Sequence, residues 1–164
     1  MNKKTQKTLF SSKTGEWETP NAFYDKLSWR FGPFTLDPCA TKESAKCANY
    51  YTIDDDGLSK DWQNHTVFVN PPYGRQIHKW IEKSYNESKD KNTTVVMLIP
   101  ARTDTRYWHD YVMKAKEVHF VKGRLKFGSS NNSAPFPSAV IVFERSAEPR
   151  NVYADFPKTY TMAR

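Results

Sequence analysis

The sequence is poor in the features that mark secreted, zinc-stapled and membrane-spanning chains. It has only two cysteines in 164 residues, Cys39 and Cys47, without CxxC spacing and without a Cys/His cluster that would complete a zinc site. Inert thiols and no bound metal are the expectation. The four histidines, His65, His78, His109 and His119, are dispersed, and none has a nucleophile or ligand partner at useful spacing. No apolar run approaches the roughly 18 residues that a membrane span requires. The opening stretch "MNKKTQKTLFSSKTGE" is polar and basic and has no apolar signal-peptide core. A cytoplasmic protein is expected, and no internal repeat divides the chain.

What is present fits one folded domain with a single cleft. The length suffices for one real core but not for two full domains, and 38% hydrophobic with 15% aromatic content argues for a folded chain. A formal charge of +7 suits a polyanionic partner, because lysines and arginines that neutralise phosphates release counterions. Composition shifts only at the ends. Residues 1–15 are expected to form a flexible basic arm, 16–145 the folded domain, and 146–164 a loosely packed C-terminal tail.

Within the domain, "ETPNAFYDKLSWRFG" predicts a helix with Thr19 as N-cap, Pro20 in the first turn, and Phe23, Leu27 and Phe31 on one face. "FTLD" predicts a short strand. "TVFVN" and "TTVVMLIP" are apolar and β-branched, the pattern of strands buried on both faces. "RQIHKWIEKSYNESKDK" supplies a crossover helix, with Ile77, Ile81 and Tyr85 at helical spacing. A further helix is expected from Asp104, followed by strands in "EVHFV" and "SAVIVF". The alternation predicts an α/β fold, a single sheet with helices on both faces. Ligands of such sheets gather beyond the carboxyl ends of the strands, where this chain places "DPCAT", "NPPYG" and "PARTDT".

The second of these loops carries a specific chemistry. Two prolines fix two φ angles and remove two donors, so the carbonyls of Asn70 and Pro71 form a rigid acceptor array beside the Asn70 amide oxygen. Tyr73 offers a flat face on which an unstacked base would lie. A planar group bearing NH2 fits such a site. Accepting both amine hydrogens returns electron density to a nitrogen that is otherwise a poor nucleophile, and in-line placement against an electrophilic methyl supplies the rest through orientation. The bland alternative is a turn in which Pro-Pro merely ends the strand.

From about Trp17 to Phe143 the chain resembles the phage-type DNA adenine methyltransferases, a branch of the S-adenosylmethionine (AdoMet)-dependent amino-methyltransferases. The likeness is carried, in order, by "WETPNAFYDKL", "FTLDPCAT", "DDDGLSKDW", "NPPYG", "IPARTDTRYWHDYV", "GRLKFG" and "APFPSAVIVF". It implies a Rossmann-like methyltransferase sheet, AdoMet as cofactor and double-stranded DNA as partner. It also implies that Asn70, Pro71, Pro72 and Tyr73 hold a flipped adenine, that Asp37, Pro38 and Cys39 begin the cofactor motif, and that Trp17, Thr19 and Pro20 close over the cofactor. "DPCATKE" departs from the family's pattern in lacking its glycines. Only about thirty residues separate "LDPCA" from "VFVNPPY", so the sheet is expected to be abridged. Among Asp54, Asp55 and Asp56, Asp56 is favoured for the cofactor ribose because Gly57-Leu58 follows it. Trp62 would either cover the cofactor or fill the core.

The long segment "GRLKFGSSNNSAPFPS" is the candidate target-recognition loop. Arg124, Lys126, Asn131 and Asn132 offer base-edge or phosphate contacts, and Phe127 and Phe136 would stack or wedge beside a displaced nucleotide. Arg102 would grip a phosphate or a base edge, with Asp104 beside it capping the next helix. Lys3, Lys4, Lys7 and Lys13 would add sequence-independent affinity or simply keep the arm soluble. The expected activity is methylation of adenine in DNA within a short or relaxed target sequence, in a bacterial host's cytoplasm if phage-borne, with or without a restriction partner. The alternatives are a cytosine amine, an RNA adenine or a protein glutamine as acceptor, or a DNA-binding module without catalysis.

Overall fold

A computed structural model describes residues 17–145 and the strand at 152–156; the basic arm and its lysines lie outside the described residues. The chain order is α1 (Asn21–Phe31), β1 (Thr66–Val69), α2 (Ile77–Glu87), β2 (Thr94–Pro100), α3 (Arg106–Asp110), β3 (Glu117–Val121), β4 (Ser138–Glu144) and β5 (Val152–Phe156). These strands form one mixed sheet in the order β1-β2-β4-β3-β5. β1 and β2 run parallel, joined by α2 as crossover. β4 is antiparallel to both β2 and β3, because residues 122–137 return the chain directly without a crossover helix. β5, within the segment expected to be a loose tail, pairs in parallel with β3.

Cross-strand register shows why the runs are apolar throughout. Phe68, Val96 and Val142 are partners across three strands and share a face, as do Val67, Val95 and Phe143 on the opposite face. The first face meets α1, where Tyr24 packs on Phe68 at 5.1 Å and Phe31 on His119 at 5.6 Å. The second meets α2, where Tyr85 packs on Phe143 at 5.9 Å. Both faces are thus covered, and Val67, Val95, Val96, Leu98 and Ile141 are wholly buried. The expected helical faces are present: Phe23 and Leu27 are buried on α1, Ile77 and Ile81 on α2.

Three local expectations change. "FTLD" forms only isolated bridges, Leu36 to Val67 and Asp37 to Tyr50, since the abridged chain offers no full strand to pair beyond β1. Thr19 does not cap α1: the Pro20 carbonyl accepts the first helical N–H groups, at 3.0 Å from Phe23 and 2.9 Å from Tyr24, and the Thr19 hydroxyl is used elsewhere. Asp104 does not cap the next helix either. That helix is a five-residue turn beginning at Arg106, with Thr105 at its N-cap and a 3-10 turn after it.

Residues 38–65 contain no long helix or strand, yet they are firmly placed. Trp62 is fully buried, its indole Nε1–H donates to the Gly57 carbonyl at 2.9 Å, and its backbone N–H donates to Glu87 of α2 at 3.0 Å. Its ring stacks on Trp80 at 6.2 Å and 21°. This holds Gly57 so close to the first strand end that a Cβ there would lie 1.9 Å from the Pro38 carbonyl oxygen. Gly57→Ala is therefore expected to destabilise the protein by about 1–3 kcal/mol in urea denaturation. An unchanged midpoint would show that the turn is not docked against Pro38.

Candidate active site

The strand ends at Pro38 and Asn70, the 52–57 turn and α2 enclose a cleft of about 600 Å³. Its wall includes Trp17, Pro38, Cys39, Asp56, Asn70, Pro71 and Pro72, all singled out by the sequence. Ala40 and Thr41 also line it, so the glycine-poor stretch after Asp37 still forms the cleft surface. Of the three adjacent acids, Asp54 and Asp56 are in the wall. Asp55 instead closes its own turn, accepting the Thr52 N–H at 2.8 Å and hydroxyl at 2.9 Å. Asp56 takes a left-handed conformation with φ of 51°, which ends one 3-10 turn and opens the next.

Other site residues sit behind this wall. Asp37 is buried and outside the cleft; its carboxylate receives the N–H of Lys46 at 3.2 Å and of Cys39 at 3.4 Å, which folds the lining loop. Thr19 is buried and Pro20 belongs to the start of α1, and neither lines the cleft. Trp62 is a core residue, and Trp80, stacked upon it, reaches the wall in its place, beside Trp17. Trp80 and Ile53 escaped the sequence reading because both lie on segments judged by their polar or crossover character. Ile53 is 91% exposed and lines the cleft.

The NPPY corner shows a definite polarity. The Asn70 amide nitrogen donates to the Trp17 carbonyl and, at 2.9 Å, to the Thr19 hydroxyl. Its Oδ1 is buried and has no hydrogen-bond partner among the described residues. The backbone carbonyl of Asn70 receives the Cys39 thiol at 3.3 Å, tying the two strand ends together. Burial pushes the Cys39 thiol well above its ordinary range, which keeps it a neutral donor.

Tyr73 differs from the expected open stacking face. It is buried, its hydroxyl donates to the Leu98 carbonyl at 2.9 Å, and burial raises its pKa. Phe136 and Phe127 meet its ring edge-on, with centroids at 5.5 and 6.1 Å, and Trp17 completes the cluster at 5.1 and 5.5 Å from the same two rings. Phe127 and Phe136 are therefore anchors that seat the 122–137 loop, in place of free wedges, because four rings exclude more water together than apart. The Glu18 carbonyl receives the Gly128 N–H at 2.8 Å, docking the loop onto the 17–19 strap. Arg124, Lys126, Asn131 and Asn132 stay exposed, as does Arg102, and none of them lines the cleft.

A mixed sheet with a cleft at its strand ends, lined by an asparagine whose amide is held in one orientation, accords with the class of amino-methyltransferases. A model of the DNA N-6-adenine-methyltransferase (Dam) family matches residues 6–160, and the chain belongs to that family. It is 27% identical over 151 residues to the DNA N-6-adenine-methyltransferase of Haemophilus phage HP1, covering 88% of this chain and 84% of that one. It is 29% identical over 110 residues to the enzyme of the same name from Escherichia phage T1, covering 66% of this chain and 45% of that one. The protein is thus an adenine-specific DNA methyltransferase, and the family implies a methyl donor and a DNA substrate.

Burial raises the Asp37 carboxyl to about 6, against the two N–H groups and Lys46, which pull it down. The folded state therefore binds a proton that the unfolded chain has released. This group's contribution to stability is whole below about pH 4 and is lost as pH rises through about 6, a change of about 3 kcal/mol at most. Urea denaturation across that window should show the loss, and Asp37→Asn should flatten it.

Proposed function

We propose that this chain transfers the methyl group of AdoMet to the exocyclic amine of an adenine turned out of duplex DNA, with Asn70 as the principal catalytic residue. The observation that carries this reading is the unpaired Asn70 Oδ1. A buried acceptor without a partner is costly, and an incoming N–H donor removes the cost only when it arrives. Such an acceptor binds the amine more strongly as its nitrogen develops positive charge, which is preferential stabilisation of the transition state. The Pro71 carbonyl, on the rigid Pro-Pro corner, is placed by this reading to accept the second amine hydrogen. No strong base is needed, because the methylated ammonium is acidic enough to release its proton to water.

The cleft suits the proposed donor. Its volume falls in the range of about 300–1,000 Å³ that takes small cofactors. Trp17, Ile53 and Trp80 provide apolar surface for a purine, and the carboxylates of Asp54 and Asp56 would accept from the ribose hydroxyls. Glu18, Asp54 and Asp56 outnumber Lys42 in the wall, which favours a cationic ligand. AdoMet supplies an electrophilic sulfonium methyl when bound. Pro38 and Cys39 form the floor beside Asn70, and Asp37 holds their loop from behind.

We assign the catalytic unit to residues 16–145, with the 1–15 arm and the 146–164 segment flanking it. DNA contact is assigned to Arg102, Arg124, Lys126, Asn131 and Asn132, which are exposed and carry hydrogen-bond donors. Phe127 acts in this reading as the seat of the loop. For Tyr73 to stack a base, the Phe127 and Phe136 rings must withdraw from it when DNA binds. The reading includes a short or relaxed target sequence.

Nucleoside analysis of duplex DNA incubated with AdoMet tests the reading. N6-methyladenine should accumulate with the unaltered chain, and Asn70→Ala should lower turnover by about 100-fold or more while AdoMet affinity changes by less than about threefold. Methylcytosine as product, methylation confined to RNA or protein, or undiminished turnover by the variant would overturn it.

A further inference from the structure

We infer that Thr19 is a positioning residue: its hydroxyl, together with the Trp17 carbonyl, locks the Asn70 amide in the one rotation that leaves Oδ1 free to accept an amine. The inference rests on the function proposed above and gives Thr19 a role other than contact with the cofactor. An asparagine amide can turn by a half rotation and exchange its oxygen for its nitrogen at little intrinsic cost. Turned the wrong way, Asn70 would present N–H to the N–H of its substrate, and the site would repel what it must hold.

The structure decides between the two rotations chemically. A backbone carbonyl only accepts, so the amide atom facing Trp17 has to be nitrogen. The second hydrogen of that nitrogen goes to Thr19 Oγ1 at 2.9 Å. Both amide hydrogens are then spent inside the protein, and the oxygen is left with all its accepting capacity. Thr19 is 2% exposed, so water does not replace its hydroxyl. It is also absent from the cleft wall that Trp17 and Glu18 help to line, which separates its role from theirs.

The strap that carries Thr19 is itself held at three points. Trp17 packs its ring between Phe127 and Phe136, the Glu18 carbonyl receives Gly128, and the Glu18 carboxylate lies 3.5 Å from the Lys46 ammonium. Pro20 then begins α1 directly after it. The amide is thus oriented by a segment that is fixed from outside the corner and does not depend on the Pro-Pro turn alone.

Thr19→Val keeps the shape and removes the hydroxyl, and Thr19→Ser keeps the hydroxyl. In steady-state methylation of duplex DNA, Thr19→Val should lower kcat between about 10- and 100-fold with KM for AdoMet unchanged, and Thr19→Ser should recover most of the rate. An independent readout needs no turnover. The two side-chain N–H signals of Asn70, assigned in nitrogen-edited NMR spectra by their loss in Asn70→Asp, should exchange slowly with solvent in the unaltered protein and in Thr19→Ser, and faster in Thr19→Val. Undiminished kcat in Thr19→Val, or a raised KM for AdoMet with kcat kept, would overturn the inference. If the unaltered chain transfers no methyl group, the proposed function fails, and the exchange measurement alone decides: equal protection of the Asn70 amide in both variants would then defeat it.

Discussion

The buried hydrogen bond from the Trp62 indole to the Gly57 carbonyl is the constraint on which the cleft depends. Between the two strand ends the chain has too few residues for additional βα units, and short coil does not hold a ligand wall by itself. Trp62 replaces that missing framework with one large side chain. Its ring sits on Trp80, its backbone on Glu87 of α2, and its donor on the turn that carries Asp54 and Asp56. The close approach of Gly57 to Pro38 follows, and with it the enclosed space beside Asn70.

A second theme is that polar groups in the site are satisfied on one side only. Asp37 spends its oxygens on the loop behind the cleft, Cys39 spends its thiol on the Asn70 carbonyl, and Asn70 spends its nitrogen on the 17–19 strap. What remains for a ligand is a small set of acceptors with fixed directions. Preorganisation of this kind lowers the cost of reaching the transition state because the protein does not rearrange while charge develops. The aromatic cluster of Trp17, Tyr73, Phe127 and Phe136 adds a cover whose parts come from the strap, the corner and the 122–137 loop.

The sheet was legible in the sequence because β-branched runs such as "TVVMLIP" are buried on both faces and leave little ambiguity of element type. The corner was legible for a different reason: Asn-Pro-Pro-Tyr at the end of such a run has few uses. Legibility failed where a side chain's role is decided by distant partners. Thr19 has every property of a helix cap, yet Asn70 claims its hydroxyl. Phe127 sits in a basic loop and reads as a surface wedge until Trp17 and Tyr73 are seen around it. Trp80 looks like one more crossover-helix residue, and only the stack on Trp62 brings it to the ligand wall. The strand in the C-terminal segment was missed because "VYADF" is a short run set among polar residues and prolines, and its partner β3 lies 35 residues earlier in the chain.

The antiparallel placement of β4 has an evolutionary consequence. The β3–β4 connection is closed by the ladder itself and pinned again inside its length, where Ala134 N–H meets the Leu125 carbonyl at 2.8 Å. Insertions between Phe127 and Ala134 would therefore lengthen an already closed loop, at an entropic cost that grows only with the logarithm of its size. Descendants of this chain can exchange that short stretch while inheriting the cleft and its Asn-Pro-Pro-Tyr corner unchanged.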